Sequence, residues 1–235
     1  MKILFYDLET TGFGFKKCAI IQFAGIMADI GTDNRIRPLE AIDLKMQPRQ
    51  GKMIDMRALE VNGYSLDEVM SWEDDNTAFM KLIRFLERHV DRNNPMDCIK
   101  LCGYSNSHFD SDFLMQWFAD NGGCFCSYFW FEQIDVMCEA ARYLLNYRPI
   151  MNNFKLGNVA EALGISLDEK SLHDGMYDVK VTLKVFKRIL DSGDLIMPFD
   201  EQAAKAMFAQ QQASKDKFRK AKSAFTDENA WIVVS

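Results

Sequence analysis

No stretch of these 235 residues approaches membrane-spanning length, and the apolar run that opens the chain, MKILFYDLETTG, passes into charged residues within a few positions. A helix across a bilayer needs about 20 apolar residues and the core of a secretory leader about 7–15. Neither a membrane span nor a leader is therefore expected, and a cytoplasmic protein is the default. Five prolines and 13 glycines are too few for a disordered or collagen-like chain. The six cysteines (Cys18, Cys98, Cys102, Cys124, Cys126, Cys138) include no Cys-x-x-Cys pair and are too sparse for a small secreted scaffold. They are read as reduced thiols that mostly fill the core. Positive charge is not in surplus either: 28 Lys and Arg stand against 34 Asp and Glu, a net charge of −6. That balance excludes broad, sequence-independent coating of nucleic acid, which relies on many cationic contacts to phosphate. It leaves room for a protein that grips a few phosphates through a local lining or through bound cations.

Apolar residues make up 48% and charged residues 26% of the chain, which suits one globular domain, alone or with an appendage. Lys2 to Tyr6 is continuously apolar after the lysine, as befits a central strand covered on both faces. Ala19–Ile30 and Leu39–Met46, separated by the turn-rich GTDNRIRP, complete a β-meander. Short helices broken at Asn62-Gly63 follow, then a helix over Glu73–Val90, a fourth strand at Cys98–Tyr104 and a helix over Phe109–Asn121 stopped by Gly122-Gly123. A fifth strand is expected over Tyr128–Val136, and helices over Met137–Leu145, Asn153–Leu163 and Asp174–Leu190. Such an order implies an α/β domain of three layers: a mixed five-stranded sheet with helices on both faces. The domain is expected to span residues 1–198, and residues 199–235 to form a polar, partly helical C-terminal tail.

Three short patterns carry candidate chemistry. Asp7 and Glu9 stand two apart at the end of the first strand, so both carboxylates project to one side. Asp110 follows the fourth strand near the start of a helix, and parallel neighbours in an α/β sheet deliver their carboxyl ends to one edge. Asp178 opens the Asp174–Leu190 helix, five positions after His173, a turn of roughly 140° that puts His173 in the entering loop if Asp178 faces the sheet. Each has a plain structural reading by itself: a solvated strand end, a first-turn acid, and a surface histidine beside a cap at Asp174.

Taken together, DLETTG at 7–12, NSHFDSDFL at 106–114 and HDGMYD at 173–178 resemble, in order and separation, the three motifs of the DEDDh family of 3′→5′ exonucleases. That DnaQ-like family includes polymerase proofreading subunits, ribonuclease T, exonuclease X and oligoribonuclease. The resemblance covers about residues 2–192, including ALEVNGYS and NFKLGNVAEALGI. It implies a ribonuclease H-like fold, metal-binding acids at Asp7, Glu9, Asp110 and Asp178, and a general base at His173. Four converging carboxylates need cations to neutralise them, and hard oxygen ligands select Mg²⁺ or Mn²⁺. Two such ions position a scissile phosphate between an attacking water and the leaving 3′ oxygen, and an imidazole of ordinary pKa is suited to take the water's proton.

By the same resemblance the turn Thr10-Thr11-Gly12 lies beside the terminal nucleotide, and Asn106 near the second motif orients the site. Phe13, Phe15 and Phe109 are aromatic neighbours of these motifs; the first two either stack on bases or pack as a lid. His108 reads as a solvated loop residue, His89 as a helix-end cation, and Tyr128–Phe131 as core. The basic run from Lys215 to Lys222 reads as a solvated helix face, while Trp231–Val234 suggests docking on the domain or on a polymerase or clamp partner. The expected substrate is the 3′ end of single-stranded or frayed DNA. RNA or short oligonucleotides are the alternative, and a non-catalytic polymerase-associated adaptor is the rival from another class.

Overall fold

A computed structural model describes residues 1–168, 174–222 and 231–233. Three strands, β1 (Lys2–Thr10), β2 (Ile20–Ile30) and β3 (Ile36–Lys45), form an antiparallel meander. After a short separate strand, β4 (Met53–Asp55), come helices α1 (Met56–Val61), α2 (Leu66–Met70) and α3 (Asp75–Glu87). Next are β5 (Lys100–Gly103), α4 (Asp110–Asp120), β6 (Ile134–Asp135), α5 (Val136–Tyr143), α6 (Leu156–Ala162), α7 (Gly175–Ser192) and α8 (Glu201–Lys222). The last described element is β7 (Trp231–Val233). In space the sheet reads β3-β2-β1-β5-β6, with β5 parallel to β1 and β6 parallel to β5. Among the described residues no helix is long and apolar enough to cross a membrane.

Alternation along β1 sorts its side chains between two cores. Leu4, Tyr6 and Leu8 pack with Phe79, Leu82 and Phe85 of α3 and with Phe113, Leu114, Trp117 and Phe118 of α4. Ile3 and Phe5 face the other way, toward Val136 of α5, Val159 of α6 and Val179 and Val185 of α7. Burial on both sides is why β1 is apolar without alternation up to Tyr6. Asp7 and Glu9 continue the parity of Ile3 and Phe5, so they emerge on the α7 side. Acidic caps start four of these helices: Asp55, Asp74, Asp135 and Asp174 each accept a backbone N–H at the first turn of α1, α3, α5 and α7.

The fifth strand is far shorter than Tyr128–Val136. Only Ile134–Asp135 joins the sheet, preceded by a single bridge between Ile99 and Phe129. Tyr128 and Phe129 turn their rings against Phe118 instead, so β-forming side chains serve packing rather than pairing. The core reading of that run fails at Phe131, which is 75% exposed. All six cysteines are free thiols, but only Cys18 and Cys102 are buried, so the core-filler reading fails for most of them. Two strands left no periodic signal because they are three residues long: β4 and β7, which pair with each other antiparallel. The C-terminal Trp-Ile-Val thus docks on the domain. Upstream, Ala204 and Met207 of α8 join the α7-side core, and the Tyr147 hydroxyl donates to Pro198 O at 2.8 Å. The side chains of the basic run beyond residue 213 lie outside the described residues.

Gly103 ends β5 where the chain turns toward Asp110. A Cβ there would stand 2.8 Å from Asn106 Cβ and 3.1 Å from the carbonyl oxygen of Tyr6. Gly103→Ala is therefore expected to cost about 1–3 kcal/mol of stability, read as a lowered urea midpoint. An unchanged midpoint would contradict this close approach.

Candidate active site

At the carboxyl edge of β1 the chain gathers its acids from three directions. Asp7 and Glu9 come from the strand itself, and Asp178 comes from the first turn of α7, which packs across β1 and β2. One carboxylate oxygen from each of Asp7, Glu9 and Asp178 lies within 4.8 Å of the others. Asp110 reaches the same edge from the opposite layer, at the start of α4, and stands outside that tight trio. The backbone N–H of Leu8, the residue between Asp7 and Glu9, nevertheless favours the ionised form of the Asp110 carboxylate. Immediately beyond, the β1–β2 register shifts between Glu9 and Thr10, a bulge that re-aims the end of the strand.

Burial and mutual repulsion dominate the electrostatics. Asp7 is held well above the ordinary carboxylate range, first by desolvation and then by Asp110, Glu9 and Asp178. Glu9 is pushed up to about 8 by desolvation, then by Asp178 and Asp110. Asp110 rises to about 7 through desolvation and Asp135, despite the lowering effect of its own N–H and that of Leu8. Clustered hard oxygen donors that resist ionisation for lack of countercharge are what a divalent cation satisfies. The donor set therefore fits a divalent metal, with Asp7, Glu9 and Asp178 able to hold it and Asp110 close enough to share in it.

The neighbouring residues divide between exposed and buried roles. Phe13 is 85% exposed, and its ring meets Phe109 edge-on with centroids 6.0 Å apart. Phe109 in turn lies 5.0 Å from Phe113, and Phe15 packs against the α4-side core. Thr10 and Thr11 are buried and shape the turn: Thr10 Oγ1 donates to Gly12 O at 2.9 Å, and Thr11 Oγ1 donates to Met53 O at 2.6 Å. Gly12 takes a φ of 153°, which glycine tolerates best. Asn106 is fully buried, and its Nδ2 donates to Gln133 Oε1 at 2.9 Å within a network that includes Tyr6 and Ser111. That network underlies the first turn of α4 and steadies Asp110. The whole of His173 and the side chain of His108 lie outside the described residues. Asp174 caps α7, accepting the Tyr177 N–H at 2.9 Å, as its structural reading requires.

Several supporting residues gave no signal of their own in the sequence: Gln22, Ser111 and Gln133, whose partners lie far along the chain. Asn62, whose Nδ2 donates to Thr10 O at 3.1 Å, falls in the ALEVNGYS segment already singled out by resemblance.

A mixed sheet whose central strand presents paired carboxylates to an acidic cluster fit for a divalent cation, with helices from both layers closing on it, has the architecture of a ribonuclease H-like nuclease. Residues 4–186 match the protein family described as RNase_T, exonuclease. The chain belongs to that exonuclease family, the DnaQ-like 3′→5′ exonucleases, hydrolases of phosphodiester bonds. Among curated proteins it is similar to ribonuclease T of Hahella chejuensis, 26% identical over 187 residues that cover 79% of this chain and 81% of that one. Ribonuclease T of Photobacterium profundum is 22% identical over 79% of this chain and 80% of its own. Among solved structures, Escherichia coli exonuclease I in complex with a dT13 oligonucleotide shares the fold, with a TM-score of 0.62 and 20% identity over 79% of this chain. A zinc-bound form of an exonuclease I complex with single-stranded DNA gives 0.64 at 20% identity over 81% of this chain. The matched region spans only 40% of exonuclease I in either case.

Raised carboxyl pKa values make metal-free stability depend on pH in one direction. The native state holds protons on Glu9 and Asp110 that the unfolded chain releases above 4.5 and 3.8, so their stabilising contribution is lost as pH rises through about 7 to 8. Glu9→Gln removes one such group. In metal-free buffer its stability advantage over the natural chain should grow from pH 5 to pH 9, and added Mg²⁺ should erase it. A difference independent of pH would contradict the raised Glu9 carboxyl.

Proposed function

We propose that the chain removes nucleotides from the 3′ end of single-stranded or frayed DNA, with Asp7, Glu9, Asp110 and Asp178 holding two Mg²⁺ or Mn²⁺ ions. The observation that carries this reading is the 4.8 Å gathering of Asp7, Glu9 and Asp178 beside the exposed Phe13 ring. Bound divalent cations supply countercharge to the phosphate and acidify the attacking water. His173, five residues before Asp178, is the group assigned to take that water's proton, because an imidazole titrates near neutrality. Phe13 and Phe109 present an aromatic surface on which a terminal base stacks, worth about 1–3 kcal/mol per base. The Thr10-Thr11-Gly12 turn brings the backbone close to the terminal nucleotide, and Asn106 acts beneath it by holding the α4 start. The DNA reading is supported by the shared fold of exonuclease I, solved with dT13.

A second reading, trimming of RNA or short oligonucleotides, is favoured by the likeness to ribonuclease T over most of both chains. The two share one site and differ in tolerance of a 2′-hydroxyl. The catalytic unit is assigned to residues 1–198, with 199–235 as an appended segment able to serve a polymerase or clamp partner. A cytoplasmic site of action fits this role. A silent adaptor has no use for a repulsive acid cluster.

End-labelled DNA and RNA strands of one sequence, incubated side by side with Mg²⁺, should lose nucleotides singly from the 3′ end, DNA the faster. Asp7→Ala should lower that rate by at least about 100-fold, the scale of losing one electrostatic stabiliser, with an unaltered circular-dichroism spectrum. Undiminished degradation by this variant would remove the site assignment.

A further inference from the structure

The register of the meander sets three polar residues in one row. Glu9 stands opposite Gln22 on β2, and Gln22 stands opposite Lys45 on β3, so all three point to the face on which α7 packs. With strands about 4.8 Å apart, Lys45 lies roughly 10 Å from Glu9 along the sheet edge. Gln22 is completely buried, and both ends of its amide are committed. Its Nε2 donates to Asp43 Oδ1 at 2.8 Å, and its Oε1 accepts the Tyr64 hydroxyl at 2.9 Å. Two opposed partners fix both the rotamer and the orientation of the amide.

That amide is the floor under α7. A Cβ added at Gly175, the first residue of the helix, would come 3.3 Å from both Ala24 Cβ and Gln22 Cδ and 3.4 Å from Gln22 Oε1. The helix start therefore rests on the Gln22 side chain together with the Ala24 methyl, and Asp178 follows less than one turn later. Tyr64 is itself held on two sides. Its ring meets Trp72 edge-on at 4.9 Å, and the Lys45 ammonium lies 4.7 Å from the Tyr64 centroid and 5.5 Å from that of Trp72. Both rings pack on Ile21, Ile54, Leu59 and Val69. Two residues earlier, Asn62 donates to the carbonyl of Thr10 at the end of β1. One short segment thus ties down the strand that carries Asp7 and Glu9 and the support of the helix that carries Asp178.

We propose that Tyr64, acting through Gln22 and clamped by Lys45, is a positioning residue for the metal-binding acids: it sets the height of α7 on the sheet and so the place of Asp178 against Asp7 and Glu9. The inference rests on the assignment of a divalent metal to those acids and adds to it a group that touches neither metal nor substrate. Partners one step removed from a metal site change its affinity by about 10–100-fold when lost, and the lower end of that range is expected here.

The test is direct Mn²⁺ binding, followed by the electron paramagnetic resonance signal of free Mn²⁺, on the full chain and on Tyr64→Phe, Lys45→Met, Lys45→Arg and Asp178→Ala. Tyr64→Phe keeps the ring and loses the hydroxyl. It should remain folded, bind Mn²⁺ about 10-fold more weakly, and lower kcat with KM for an oligonucleotide within twofold. Lys45→Met should weaken binding in the same direction, and Lys45→Arg should restore it. Should Tyr64→Phe not fold, the Lys45 pair carries the same comparison, with equal Mn²⁺ affinity in Met and Arg variants as the refuting result. Unchanged affinity in folded Tyr64→Phe, alongside a clear loss in Asp178→Ala, overturns the inference and leaves the metal assignment standing. Absence of Mn²⁺ binding by the natural chain, or full binding by Asp178→Ala, overturns the metal assignment itself.

Discussion

Repulsion among carboxylates at the edge of β1 is the constraint to which the rest of this structure answers. Asp7, Glu9 and Asp178 are held within 4.8 Å, with Asp110 near enough to raise the first two further. Left to itself such a cluster would spread apart or take up protons. It stays together because each acid is anchored by an element with its own reason to be there. Strand β1 is buried on both faces, α4 and α7 each bury an apolar side in a separate core, and neither can withdraw without opening that core. That repulsion would be relieved by a divalent cation bound among the acids, and such a cation would give a chain of net charge −6 the countercharge to meet phosphate.

Supports around the cluster are as specific as the acids. Under Asp110, the buried network of Tyr6, Asn106, Ser111 and Gln133 fixes the turn that opens α4. Under Asp178, the Gln22 amide carries the start of α7. Beside Glu9, the Thr10-Thr11 turn is pinned to β4 and to Asn62. These hydrogen bonds contribute less to net stability than to a single arrangement of the site, while Asn106 Oδ1 is buried without a hydrogen-bond partner among the described residues. On the outer side of the cluster Phe13 leans its exposed ring on Phe109.

Much of the fold was legible because its long elements obey one period each. The unbroken apolar run of β1, the helical spacing of α3 and α7 and the cap at Asp174 all appear where local chemistry requires them. Short elements were not: β4, β6 and β7 have two or three residues, too few for alternation to register. Tyr128 and Phe129 misled for a related reason, since the side chains that favour strands also favour packing against a ring such as Phe118. Cysteine identity alone carried no information on burial, and Cys124, Cys126 and Cys138 stand exposed.

By itself the sequence determined which acids belong together, because motif order and spacing are covalent facts: Asp7 with Glu9 on one strand face, Asp110 after a parallel strand, Asp178 at a helix start. Only the tertiary structure decided how they meet. Asp110 arrives on α4, from the layer opposite Asp178, and stands outside the tight trio. The row from Glu9 through Gln22 to Lys45 exists only once the strands are in register. The reason is that register, layer and burial depend on contacts between residues tens of positions apart, whose partners no local pattern names.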